Sequence, residues 1–160
     1  MKKVLIIGCP GSGKSYFSRE LAEATGLPLY HIDKIRWRTD WTLMPREQFL
    51  PILKEIMETD EWIIDGNYLN SMELRLGYAD TVFYFDLPTE ECLANVEERK
   101  GNPRSDMPDG MTDRDAPEFI DFIRNYNRDV KPRVDALLDN FSGEIHVIRA
   151  RDEKKPFLYR

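Results

Sequence analysis

Apolar residues fall into short unbroken runs separated by stretches of helical periodicity. Val4-Leu5-Ile6-Ile7 is a continuous run ended by Gly8, the pattern of a strand covered on both faces in a parallel sheet. Lys14 to Thr25 follows with Phe17, Leu21 and Ala24 at helical spacing; Gly26 stands where a helix would end and Pro28 blocks its continuation. Leu29-Tyr30-His31 predicts a short second strand. Pro45 to Met57 is amphipathic, with Phe49, Ile52, Leu53 and Ile56 on one stripe. Trp62-Ile63-Ile64 and Thr81 to Phe85 predict two further strands, stopped at Asp65-Gly66 and at Asp86-Leu87-Pro88. Thr89 reads as the N-cap of a helix with Glu90 and Glu91 in its first turn and Arg99 and Lys100 in its last, in agreement with the helix dipole.

The segment from Asn102 to Asp115 breaks the pattern. It holds Pro103 and Pro108, is rich in charge and almost without apolar residues, and predicts a mobile surface loop. Asp115-Ala-Pro-Glu118 then resembles a capping box opening one long helix to about Asn140, with Phe119, Phe122, Ile123, Tyr126, Val130, Val134, Leu137 and Leu138 along one face. Ile145 to Ile148 is the last strand. Strands alternating with helices predict an α/β fold with a parallel sheet. Ligands of such sheets sit beyond the carboxyl ends of the strands, where Asp33, Asp65, Asp86 and the loop Gly8 to Lys14 all fall.

At 160 residues the chain is read as a single domain with one core. The balance of 23 basic and 29 acidic side chains gives a net charge of -6, which argues against direct DNA binding, because duplex affinity comes from basic groups neutralising phosphates. Cys9 and Cys92 form no CxxC pair and are joined by only two histidines, so a zinc site or disulfide framework is not expected. The apolar run after Met1-Lys2-Lys3 is too short for a leader or a membrane span. The expectation is a cytoplasmic protein, monomeric or homodimeric, without a membrane partner.

Gly8-Cys9-Pro10-Gly11-Ser12-Gly13-Lys14-Ser15 fits GxxxxGK[ST] at every fixed position, with a predicted strand before it and a helix after it. Backbone N–H groups freed by glycine curl around phosphate oxygens, and the helix start adds its positive end. Lys14 places a compact charge on the β- and γ-phosphates, and the Ser15 hydroxyl is offered to Mg²⁺. A nucleoside triphosphate, ATP ahead of GTP, is therefore expected on Gly8, Pro10, Gly11, Ser12, Gly13, Lys14, Ser15 and Tyr16. Asp65 either serves Mg²⁺ through water, orients an acceptor, or caps the Asp-Gly turn. Asp33 either takes a proton from an acceptor hydroxyl, binds Mg²⁺, or ends a strand. Trp37 and Trp41 suit stacking on a ring or packing in the core, and His31 reads as a structural histidine.

Three segments carry a resemblance: Gly8 to Ser15, then His31-Ile-Asp33-Lys-Ile-Arg36-Trp37, then Trp62-Ile-Ile-Asp65-Gly66-Asn67-Tyr68. With Arg75-Leu-Gly-Tyr-Ala-Asp80-Thr81, Phe85-Asp86-Leu87-Pro88 and Asp106-Met107-Pro-Asp-Gly110, they resemble the adenylate-kinase-like P-loop proteins called DNA topology modulation proteins (FlaR-related). The resemblance implies a three-layer P-loop fold of nucleoside-monophosphate-kinase type, with a five-stranded parallel sheet ordered 2-3-1-4-5. It implies an acceptor-binding insert at about 32–60 and a lid at about 101–116. Asp33 and Arg36 would then face the acceptor, Arg75 would reach the acceptor or the transferring phosphate, Asp65 would lie beside Mg²⁺ with Ser15, and Arg99 and Arg104 would close over the nucleotide; Trp37 and Asn67 are further candidates for acceptor binding. The loop from Arg149 to Asp152 would lie by the base. Asp65-Gly-Asn-Tyr-Leu replaces the Asp-Gly-Phe-Pro-Arg of adenylate kinases, and Asn95 stands where an arginine stacks on adenine, so AMP is not supported as acceptor. Arg114, Arg124 and Arg128 are further cations near the lid.

The expected activity is Mg²⁺-dependent phosphoryl transfer from ATP to a small acceptor, a nucleotide, nucleoside or metabolite. A nucleotide-binding regulator with slow or no turnover and a simple NTP hydrolase are the alternatives.

Overall fold

The computed structural model describes residues 1–112 and 116–159. Strands β1 (Lys3–Gly8), β2 (Leu29–His31), β3 (Trp62–Asp65), β4 (Thr81–Phe85) and β5 (Glu144–Ile148) form one parallel sheet in the order β2-β3-β1-β4-β5. Around it lie α1 (Lys14–Thr25), α2 (Ile32–Arg36), α3 (Arg46–Met57), α4 (Met72–Tyr78), α5 (Thr89–Arg99), α6 (Pro117–Asp129) and α7 (Lys131–Asp139), with a closing 3₁₀ segment at Arg151–Phe157.

The unbroken apolar run of β1 follows from burial on both faces. Successive side chains of a strand point to opposite sides. Val4 and Ile6 pack with Phe17, Leu21, Cys92 and Ile123 of α1, α5 and α6. Leu5 and Ile7 pack with Ile32, Phe49, Leu53 and Val134 of α2, α3 and α7. The result is three layers with the sheet in the middle. Parallel register aligns the strand ends: His31 and Ile6 stand beside Asp65, and Gly8 stands beside Phe85. That rim carries the site.

Two expectations change. The long helix predicted from Asp115 to Asn140 is two helices that meet at Val130, whose φ of -110° departs from helical geometry. The cause is Pro132, whose ring lacks an N–H and clashes with the carbonyl four residues back. The capping box proposed at Asp115 lies outside the described residues, as does Arg114; α6 opens at Pro117 without a side-chain cap. Thr89 is the first residue of α5 rather than its cap. The helices α2 and α4, at five and seven residues, escaped the sequence reading because neither is long enough to show a period.

Candidate active site

The phosphate loop leaves β1 at Gly8 and enters α1 at Lys14. Gly11 has a φ of 84°, and a Cβ there would stand 2.3 Å from the Cys92 carbonyl of α5. Only glycine lets the loop pass so close to that helix. Gly8 is pinned by Asn67 at the end of β3: its N–H donates to Asn67 Oδ1 at 2.9 Å, and Asn67 Nδ2 donates back to the Gly8 carbonyl. Asn95 of α5 donates to the Gly11 carbonyl at 2.8 Å. The loop is thus held in shape from two sides.

Around it open three concavities. A cleft of about 510 Å³ runs over Gly11–Gly13 between Tyr16, Phe85, Leu87, Asn95, Arg99, Arg151 and Lys154. A second of about 470 Å³ continues along Lys14, Ser15, Arg19, Arg99, Arg104 and Asp106. Beyond Lys14 a third, about 510 Å³, is walled by Pro10, Asp33, Arg36, Trp37, Trp41, Asn67, Tyr68 and Arg133. Lys14, 7% exposed, lines both the second and the third.

Asp33 sits on α2, and burial pushes its carboxyl pKa up while Lys14 and Arg104 pull against it. The Arg36 guanidinium lies over Tyr68, 3.4 Å from the ring centroid, and 5.6 Å from the Phe49 ring that meets Tyr68 edge to face. Desolvation lowers its pKa, with Tyr68 and Asp33 opposing. Trp37 and Trp41 meet edge to face at 5.5 Å and form the aromatic side of the cavity. The expected Trp37, Asp33, Arg36 and Asn67 therefore come together on one wall.

Arg75 does not join them. It is fully buried, and its guanidinium donates to Ser71 Oγ, the Gly66 carbonyl and the Tyr68 carbonyl at 2.9–3.1 Å. Removal from water drives its pKa down to about 9, with Asp33 opposing. Its place is to hold the 66–71 loop that presents Asn67 and Tyr68, which corrects the expectation of direct acceptor contact. Asp65 is also engaged elsewhere: its carboxylate accepts from Ser18 Oγ at 2.6 Å and pairs with His31 Nδ1 at 2.8 Å. No hydrogen bond joins it to Ser15 among the described residues.

The carboxylate that meets Ser15 is Asp106, from the segment between α5 and α6. Ser15 Oγ donates to Asp106 Oδ2 at 2.8 Å, and Arg104 grips the same carboxylate through Nε at 3.0 Å. Burial alone would raise its pKa, but Arg104, Ser15 and Lys14 hold it well below the usual carboxylate range. Arg124 and Arg128 stay on the surface, paired with Asp121 and Asp129. Arg133, the residue after Pro132, takes the cavity position instead. Arg151 and Lys154 bring the segment after β5 to the first cleft. Asp106 and Arg133 were the site residues that periodicity could not find.

No group of three or more His, Cys, Asp or Glu side chains able to hold a metal occurs among the described residues. The Ser15 hydroxyl and Asp106 carboxylate offer hard oxygens of the kind Mg²⁺ prefers, and would hold the ion together with a nucleotide's phosphates.

No protein-family model matches the sequence, and no curated protein matches it. Solved structures do. A shikimate kinase from Acinetobacter baumannii, in complex with shikimate, superimposes with TM-score 0.64 at 15% identity, covering 98% of this chain and 89% of that one. The architecture is that of a P-loop kinase. A sugar kinase from Janibacter sp. (TM-score 0.55, 15% identity, 99% and 90% covered) and a shikimate kinase from Bacteroides thetaiotaomicron (0.57, 14%, 97% and 92%) share it. In this chain Lys14 and Arg104 line both the second cleft and the third cavity.

Proposed function

We propose that the chain is an ATP- and Mg²⁺-dependent phosphotransferase acting on a small hydroxyl-bearing acceptor. The observation that carries this reading is the position of Lys14 in the wall shared by the phosphate cleft and the cavity holding Asp33. A phosphoryl group on Lys14 lies between a donor space and an acceptor space. Asp33 takes the proton of the attacking hydroxyl, a role that its raised pKa and its place on the cavity wall both suit. Lys14, Arg99 and Arg104 offset charge on the phosphoryl oxygens, and the loop amides orient them. Bound Mg²⁺ supplies further neutralisation of the phosphates. Arg36 and Arg133 position the acceptor, and Trp37 and Trp41 exclude water from it.

The test is ADP release from Mg-ATP across a panel of nucleoside monophosphates, nucleosides and hydroxylated metabolites. ADP that appears only with an acceptor supports the proposal. ADP with free phosphate, indifferent to every acceptor, would mark a hydrolase. Lys14→Ala is expected to cut turnover by about 10²–10³-fold; full activity in that variant would refute the phosphate assignment.

A further inference from the structure

We propose that Asp106 is a metal-coupled lid residue: it brings a carboxylate oxygen to the Mg²⁺ held by Ser15, and in doing so hands Arg104 over to the phosphates. The inference rests on the phosphotransferase reading above and adds to it the device that ties lid closure to the metal.

Three observations carry it. The Ser15 Oγ to Asp106 Oδ2 separation is 2.8 Å. Two neighbouring oxygens on an octahedral Mg²⁺ with bonds of about 2.0–2.1 Å stand about 2.9 Å apart, so the pair already has the spacing of two ligands on one ion. Next, Asp65, the carboxylate expected beside the metal, is engaged by Ser18 and His31, which leaves Asp106 as the carboxylate on Ser15. Finally, the lid is docked in the position the role requires. Met107 and Met111 are buried, Arg104 N–H donates to the Met111 carbonyl at 2.9 Å, and Arg19 of α1 donates to Ser105.

Without metal, the charge of Asp106 is balanced by Arg104 and by Lys14 nearby. A divalent ion at Ser15 takes over that balance. The Ser15 hydroxyl turns its lone pair to the metal, and Arg104 exchanges a carboxylate for phosphate oxygens of the same charge sign and similar reach. Mg²⁺ and nucleotide together then hold the lid in the docked position it already takes through Asp106 and Ser15. No bond to carbon or phosphorus changes in this exchange.

Calorimetric titration of the intact protein with ATP, with and without Mg²⁺, tests it. The wild type is expected to bind Mg-ATP at least 10-fold more tightly than metal-free ATP, a preference worth about 1.4 kcal/mol. Asp106→Asn is expected to lose that preference while its metal-free affinity is unchanged or higher; Asp106→Glu is expected to recover part of it. Lys14→Ala weakens both forms alike and so marks failure of the phosphate site itself. With Mn²⁺ in place of Mg²⁺, the electron paramagnetic resonance spectrum of the nucleotide complex should differ between wild type and Asp106→Asn, a readout independent of turnover. Circular dichroism checks that each variant is folded. Retention of the full Mg²⁺ preference in Asp106→Asn would overturn the proposal, as would identical Mn²⁺ spectra. A wild type that binds neither form of ATP would overturn the nucleotide reading and this one with it.

Discussion

Asp33 illustrates a side chain kept at a cost to the fold. Burial raises its folded pKa above the unfolded value, so the folded state holds its proton to higher pH than the unfolded chain does. Its contribution to stability is therefore lost as pH rises through the window between the unfolded and the folded value. Asp33→Asn removes the ionisable group and is expected to raise the melting temperature at neutral pH, while lowering kcat by about 10²–10⁴-fold. The acid limb of the wild-type pH–rate profile, where the base becomes protonated, should vanish in the variant. A variant both less stable and equally active would contradict this account. Arg75 has the opposite character. Arg75→Ala would leave the Gly66 and Tyr68 carbonyls and Ser71 Oγ without their buried donor, and a loss of about 3 kcal/mol or more in denaturant unfolding is expected. Lys14 and Ser15 were legible in the sequence because the phosphate motif is contiguous. Asp106 was not, because it meets Ser15 across 91 residues of chain through a loop with no period.

At the scale of elements, the break at Pro132 sets where Arg133 points. Were α6 and α7 one straight helix, the roughly 100° step per residue and a common axis would fix Arg133 relative to Phe119 and Phe122; the offset at Val130 frees it from that axis. Pro132→Ala permits a continuous helix and is expected to raise helical content slightly by circular dichroism. Acceptor KM should rise with little change in kcat, the signature of lost binding common to ground and transition state. Unaltered KM would remove Arg133 from the proposed acceptor wall. The strands and longer helices could be read directly, since a run of Val, Leu and Ile buried on both faces has few alternative fates. The helices α2 and α4 could not, because they are set by packing of Ile32 and Met72 against the sheet rather than by periodicity.

For the molecule as a whole, net charge and local charge have opposite signs. The chain carries -6 overall, yet Lys14, Arg19, Arg99, Arg104, Arg151 and Lys154 surround the clefts over the phosphate loop. A cationic mouth on an acidic body draws polyanions to one place and repels them elsewhere. The association rate of Mg-ATP is therefore expected to fall by about tenfold as salt rises from about 0.05 to about 0.5 M, measured by stopped flow, with Arg151→Ala flattening the dependence. A rate insensitive to salt would deny that the cluster steers the nucleotide.

The indoles are divided between two environments. The chain has three tryptophans; Trp62 is wholly enclosed in the core, while Trp37 and Trp41 border the cavity that also holds Asp33. Ultraviolet emission from the native protein thus contains one constant contribution and two that respond to whatever enters the cavity. An acceptor bound there, as the proposed function requires, would carry its own optical signal, and no label would have to be attached to follow it.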